Sequence, residues 1–307
     1  GNDTLDGGVG DDSLDGGAGT ADRATYATAT GAVTVSLATL TAQATVGAGS
    51  DTLLNIEELE GSAFADTLTG DTNANLLLGM AGNDTLSGGL GNDTLDGGLG
   101  NDSLSGGDGT DLVSYASAGA AVAASLASGS VTGGAGSDTL TGIENLQGSA
   151  FNDELGGDAN NNLLQGLAGD DTLIGGDGAD TLDGGLGNDS LDGGAGSRDR
   201  AVYANATAAV VASLVSGSVT GGGGTDTLAG IEDLVGGDHG DSFTGDANAN
   251  VLMGGAGDDT LLAGGGNDTL DGGSGSNTID GGADVDRVSF ANSSVAIIAD
   301  LRAPGIN

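Results

Sequence analysis

From Gly88 to Ser105 the chain runs through two copies of one nine-residue pattern, GGLGNDTLD and GGLGNDSLS. The last three positions of each copy set a single leucine, Leu95 or Leu104, between small polar residues. That is the period-two pattern of a short strand with one face buried. The six positions before it are rich in Gly, Asn and Asp, the residues that build turns. Each copy therefore predicts a polar turn followed by a three-residue strand. Nine residues cannot close around a core, but two copies can, giving turn, strand, turn, strand. Stacked coils of that kind make a solenoid in which each coil touches only its neighbours. The predicted class is all-β.

The register reaches beyond the clearest copies. From Gly61, glycine recurs at 70, 79, 88, 97 and 106, with Asp66, Asn75, Asp84, Asp93, Asp102 and Asp111 five residues after each. Two further blocks follow the same rule, one with Asp153, Asn162, Asp171, Asp180 and Asp189, the other with Asp241, Asn250, Asp259, Asp268, Asn277 and Asp286. A longer period overlies the short one. Tyr26, Tyr115, Tyr203 and Phe290 recur at spacings of 89, 88 and 87, each seven residues before an apolar position, Val33, Val122, Val210 or Ile297.

Between blocks lie interruptions such as Tyr115 to Gln147, each with a stray repeat (Asp51, Asp138, Asp226) and an IExL motif at Ile56, Ile143 or Ile231. The expected organisation is a block end at 1–26, an inter-block segment at 27–60, a block at 61–114, a segment at 115–147, a block at 148–202, a segment at 203–235, a block at 236–289 and the start of another segment at 290–307. The interruptions are expected to be wider coils of one continuous solenoid, with flexible spacers as the alternative. Gly1 to Asp6 matches the tail of a repeat and Leu301 falls inside a segment met three times before, so a piece of a longer array is expected.

Charge changes this picture. The 307 residues carry a net charge of −40, with no Lys, Cys or Trp and 65 Gly. Such a composition would ordinarily mean disorder; strict periodicity argues for order on condition that the charge is neutralised. In a solenoid, like positions on successive coils stand one strand spacing apart, roughly 5 Å. Two carboxylates at that distance repel by about 3 kcal/mol at an effective dielectric near 20. The stack needs a cation. Carboxylates and carbonyls in a flexible loop suit Ca²⁺, and suit Mg²⁺ less because it keeps its water and demands octahedral geometry.

The nonapeptide resembles the GGxGxDxUx repeat of the RTX family. That resemblance implies a right-handed parallel β-roll with Ca²⁺ held between same-side turns, export by a one-step secretion machine and folding outside the cell. The expected metal residues are Asp3, Asp12, Asp84, Asp93, Asp102, Asp111, Asp171, Asp180, Asp189, Asp259, Asp268 and Asp286, with the turn glycines Gly88, Gly91, Gly97, Gly100, Gly175, Gly178, Gly184 and Gly187. Glycines at positions one, two and four of the repeat are expected to take positive φ and turn carbonyls towards the ion. Ions are expected to bridge Asp84 with Asp102, Asp93 with Asp111, Asp171 with Asp189 and, more weakly, Asp259 with Asn277.

Departures from the pattern mark weaker sites. The second repeat of each block reads GD-N-N (Asp71, Asn73, Asn75 and equivalents); Asn tolerates the left-handed region, so the turn is expected to survive with less affinity. The first repeat has Phe64, Phe151 or His239 where the third Gly belongs, and Asp22 and Asp199 end repeats that carry an insertion. No full site is expected at the former, and the ligand geometry of the latter is open.

Other chemistry finds little support. The lone His239 aligns with phenylalanines and reads as a packing residue; no second His or Cys stands by to make a zinc site or a nucleophile pair. Paired carboxylates would suit a glycosidase, but seven aromatic residues cannot line a sugar cleft. Five basic residues against the strongly negative field argue against nucleic acid, and no apolar run reaches the roughly 20 residues of a membrane span. Sequons such as Asn83-Asp-Thr follow from the repeat itself. The chain is thus expected to be a non-enzymatic, calcium-binding structural module of a larger secreted or cell-surface bacterial protein, of adhesin or surface-layer type, whose partners are calcium ions, the remainder of the parent chain and, through its ends, other copies. The alternative is the export and folding tail of a secreted enzyme or toxin. Ice binding ranks last, because position three of the turns (Leu90, Leu99, Asp108, Asp177, Leu186) carries no threonine ladder.

Overall fold

The computed structural model describes residues 1–291. Ile297, and all but the first two residues of the segment expected at 290–307, lie outside the described residues. Among the described residues there are strands and no helices. A 14-stranded parallel face runs from Thr4–Leu5 to Arg287–Ser289, and a 16-stranded face from Thr34–Ser36 to Thr278–Asp280. The chain alternates between the two. Thr85–Leu90 on the second face is followed by Thr94–Asp96 on the first and Ser103–Asp108 on the second.

Register follows the eighteen-residue coil: Leu86 lies opposite Leu104, and Leu77 opposite Leu95. These leucines are fully buried. A coil donates one leucine from each face, and the leucines stack along the axis into one continuous core. Their outward neighbours on the second face are mostly Thr or Ser, such as Thr67, Thr85, Ser103 and Thr139, with Glu154 among the exceptions.

The interruptions belong to the solenoid but are not simply wider coils. After Leu112–Ser114 the chain forms Val122–Ser125, reverses into Ser130–Gly133 and reverses again into Gly136–Thr141. The outer two of these strands pair in parallel with the flanking coils, and the middle one is antiparallel to both. The first face meanwhile passes directly from Leu112–Ser114 to Asn145–Gln147. The second face therefore gains two strands at the interruption, about 10 Å of added width. Buried Tyr115, Val122, Val131 and Ile143 fill the space beneath. Tyr203 and Val210–Ser213, Ser218–Gly221 and Gly224–Ala229 repeat the arrangement. In the first cassette the ladder between Thr34–Ser36 and Gln43–Ala44 is replaced by a side chain: the Ser36 amide donates to Gln43 Oε1 over 2.8 Å, and Gln43 Nε2 donates to the Ser36 carbonyl over 2.9 Å.

Candidate calcium centre

The aspartate at position six ends each turn and turns into the solenoid. Asp84, Asp93, Asp102 and Asp111 are at most 3% exposed. Each carboxylate has two different oxygens. Oδ1 accepts the backbone amide of the like residue one coil back: Asp84 N–H donates to Asp102 Oδ1 over 2.8 Å, Asp93 to Asp111 over 2.8 Å, and Asp171 to Asp189 over 2.9 Å. Oδ2 is buried and has no hydrogen-bond partner in Asp12, Asp84, Asp93, Asp102, Asp111, Asp171, Asp180, Asp189, Asp259 and Asp268, all of them expected ligands. Buried polar groups are nearly always paired, so a row of orphan anionic oxygens points to a cation.

Position-one glycine shows where Oδ2 faces. A Cβ on Gly88 would collide with Asp93 Oδ2 and stand 2.7 Å from the carbonyl oxygen of Gly106 in the next coil. Gly79 has the same relation to Asp84 and to the Gly97 carbonyl. This corrects the expectation of positive φ at all three glycine positions. Positions two and four do take it, as at Gly89 (110°) and Gly91 (106°), Gly98 (81°) and Gly100 (149°), but Gly88, Gly97, Gly175 and Gly184 do not. Position one is glycine because a side chain would fill the space that the carboxylate and carbonyl oxygens share.

Burial pushes these carboxyls upward, and the like charge one coil away adds to it. Asp84 and Asp189 rise to about 7, and Asp93, Asp102 and Asp171 to about 6. The amide bond to Oδ1 offsets this only in part. Among the described residues no three His, Cys, Asp or Glu side chains converge. The donor set is therefore carboxylates from adjacent coils and backbone carbonyls, all hard oxygen, which fits Ca²⁺.

The departures have individual explanations. Asp66 and Asp153 have no orphan oxygen, because Ser62 and Ser149 replace the second glycine. The Ser149 amide donates to Asp153 Oδ2 over 2.5 Å, and its hydroxyl donates to Oδ1 over 2.8 Å; Ser62 repeats this on Asp66. Phe64, Phe151 and His239 are exposed, so this position faces solvent and His239 is not a packing residue. The asparagine turns do not use the left-handed region: Asn73, Asn75, Asn160 and Asn162 lack positive φ. They are held instead by the Asn160 amide on Asp158 Oδ1 and the Asp158 amide on Asn162 Oδ1, each 2.8 Å.

Asp3 is exposed and Asp286 half-buried, at the two ends of the described ladder, yet both keep its bonds: Asp3 N–H donates to Asp22 Oδ1 and Asp268 N–H to Asp286 Oδ1. Asp259 N–H donates to Asn277 Oδ1 over 2.8 Å. Several ladder members were absent from the expected set. Asp22 and Asp199 carry the same orphan Oδ2, while the Asp138 carboxylate faces the buried Tyr115 hydroxyl. Asp102 N–H donates to Asp138 Oδ1 and Asp180 N–H to Asp199 Oδ1. Asp51 and Asp226 take the same place opposite Asp12 and Asp189. Their signal was the degenerate xGxGxD and the inserted repeat. Glu57, Glu144 and Glu232 also join, each accepting a ladder amide; the IExL motif was their signal.

Stacked turns with paired carboxylates at coil spacing define a calcium-binding parallel β-roll. Matches to the RTX calcium-binding nonapeptide repeat (4 copies) fall at residues 1–20, 60–95, 87–116, 130–142, 141–173, 165–197, 235–270 and 262–291, more than half of the chain. The chain belongs to this family and binds Ca²⁺ at several sites. No curated protein matches it.

Proposed function

We propose that the chain is a calcium-dependent structural rod of a secreted or cell-surface bacterial protein, of adhesin or surface-layer type, extended where calcium is scarce and folded where it is millimolar. The observation that carries this is the row of buried aspartate oxygens without partners. Each coil buries only about two leucines, and that gain must oppose both chain entropy and carboxylate repulsion. Ion binding is then folding free energy. Extracellular modules bind Ca²⁺ at roughly 10⁻⁴ to 10⁻³ M, which would keep such a chain unfolded through export. The repetition of near-identical cassettes along one continuous core supports a spacer role.

Limited proteolysis tests the switch: the chain should be digested in nanomolar free Ca²⁺ and resist in millimolar Ca²⁺. Resistance in excess chelator would overturn it. The reading frame around these codons tests the context. Further cassettes support the rod, whereas an adjoining catalytic domain would favour an export and folding tail.

A further inference from the structure

The carboxylate ladder changes its chemistry where the first face closes over an interruption. There the turn ahead of Asn145–Gln147 is not GGxGxD but Gly142-Ile143-Glu144. Gly142 has φ 57°, and Asn55 (52°) and Gly230 (57°) repeat this before Ile56-Glu57 and Ile231-Glu232. The Gly142 carbonyl stands against the Cα of Gly106, where a Cβ would collide with both it and Asp111 Oδ2. This is the relation that the Gly106 carbonyl has to Gly88 and Asp93 one coil earlier.

Glu144 supplies the second carboxylate. Its Oε2 accepts the Asp111 amide over 2.9 Å, the bond that Asp111 Oδ1 makes to the Asp93 amide. Asp111 is fully buried, and its Oδ2 has no partner. The short turn gives Glu144 and Asn145 amides to the one Asp111 carbonyl, at 3.3 and 2.9 Å. The longer glutamate side chain then reaches the place an aspartate holds in the regular turn. Beyond Glu144 the ladder is closed by an amide: Asn162 Nδ2 donates to the Glu144 carbonyl over 2.7 Å, a contact that needs no ion.

We propose that Asp111, Glu144 and the Gly142 carbonyl form a calcium site of a second kind, in which an x-Ile-Glu turn replaces one of the two GGxGxD turns. Asp22 with Glu57 and the Asn55 carbonyl, and Asp199 with Glu232 and the Gly230 carbonyl, are its counterparts. Each interruption then adds one ion at the end of its block, bridged across about 33 residues of inserted chain, before the amide contact on the glutamate carbonyl closes the row. This inference rests on the calcium-rod reading, and the test separates the two.

Native mass spectrometry of the full chain at saturating Ca²⁺ counts the ions in wild type, Glu144→Gln, Asp93→Asn and the surface control Glu154→Gln. The glutamine side chain placed at position 144 can still accept the Asp111 amide but lacks the charge. Glu144→Gln should hold one ion fewer than wild type, Asp93→Asn should also lose an ion, and Glu154→Gln should hold the full number. A full count in Glu144→Gln beside a loss in Asp93→Asn would remove the junction site and leave the repeat sites standing. No uptake by the wild type would remove both. Should Glu144→Gln not regain its β spectrum in Ca²⁺, Glu57→Gln, near the amino-terminal end where the fewest coils depend on it, carries the same count with the same two outcomes.

Discussion

The backbone amide of Asp93 donates to Oδ1 of Asp111 over 2.8 Å, while Oδ2 of both residues is buried with no partner. One oxygen of each carboxylate aligns the coils, and the other has no donor to satisfy it. Replacing Asp93 with Ala removes both oxygens at one coil only. The variant should lose an ion and lower hydrogen-exchange protection around residues 75–111, with distant coils unchanged, because coupling in a solenoid is between nearest neighbours. Uniform loss of protection along the chain would contradict this.

In excess chelator the circular dichroism spectrum should lack the β signature, and millimolar Ca²⁺ should restore it. Mg²⁺ at the same concentration should restore much less, since it holds its water and demands octahedral geometry. A β spectrum in chelator that Ca²⁺ leaves unchanged would mean the ions decorate a fold they do not create.

Ion-free stability should depend on pH with a defined sign. Burial raises Asp84 and Asp189 to about 7 and Asp93, Asp102 and Asp171 to about 6, above the ordinary value of 3.8. The folded state thus binds more protons than the unfolded one between pH 4 and 7. Each group's contribution is fully present below about pH 4 and is lost as pH rises through 6 to 7. Chelated protein should therefore gain β structure on acidification from pH 8 to 5, measured by circular dichroism, and lose affinity for Ca²⁺ over the same range by isothermal titration calorimetry. Ion-free structure that increases with pH would reverse the assigned sign.

Gly88→Ala and Gly119→Ala should differ although both change one hydrogen to a methyl. At Gly88 the methyl collides with Asp93 Oδ2 and crowds the Gly106 carbonyl. It should cost about 1–3 kcal/mol and displace an ion. At Gly119 a Cβ meets nothing within 4 Å, and the change should stay within about 0.5 kcal/mol. Thermal melts in saturating Ca²⁺, with ion counts, compare them directly.

Leu86 above Leu104, and Asp84 beside Asp102, were legible in the sequence, because a nine-residue period read twice per coil brings every eighteenth residue together whatever surrounds it. The same regularity made the oxygen chemistry of the turn readable. The partners across interruptions were not. Asp102 meets Asp138, Asp12 meets Asp51 and Asp111 meets Glu144 only after an insertion has reversed twice, or its short x-Ile-Glu turn has closed the first face. No local period encodes those separations. The Ser149 cap on Asp153 is local, four residues apart in the chain, yet its meaning became readable only once the structure set its amide and hydroxyl on the carboxylate, whereas Asp171 keeps an orphan oxygen. Repetition specified the coil and its carboxylate ladder; how that ladder continues across an insertion was settled by contacts between residues far apart in the chain.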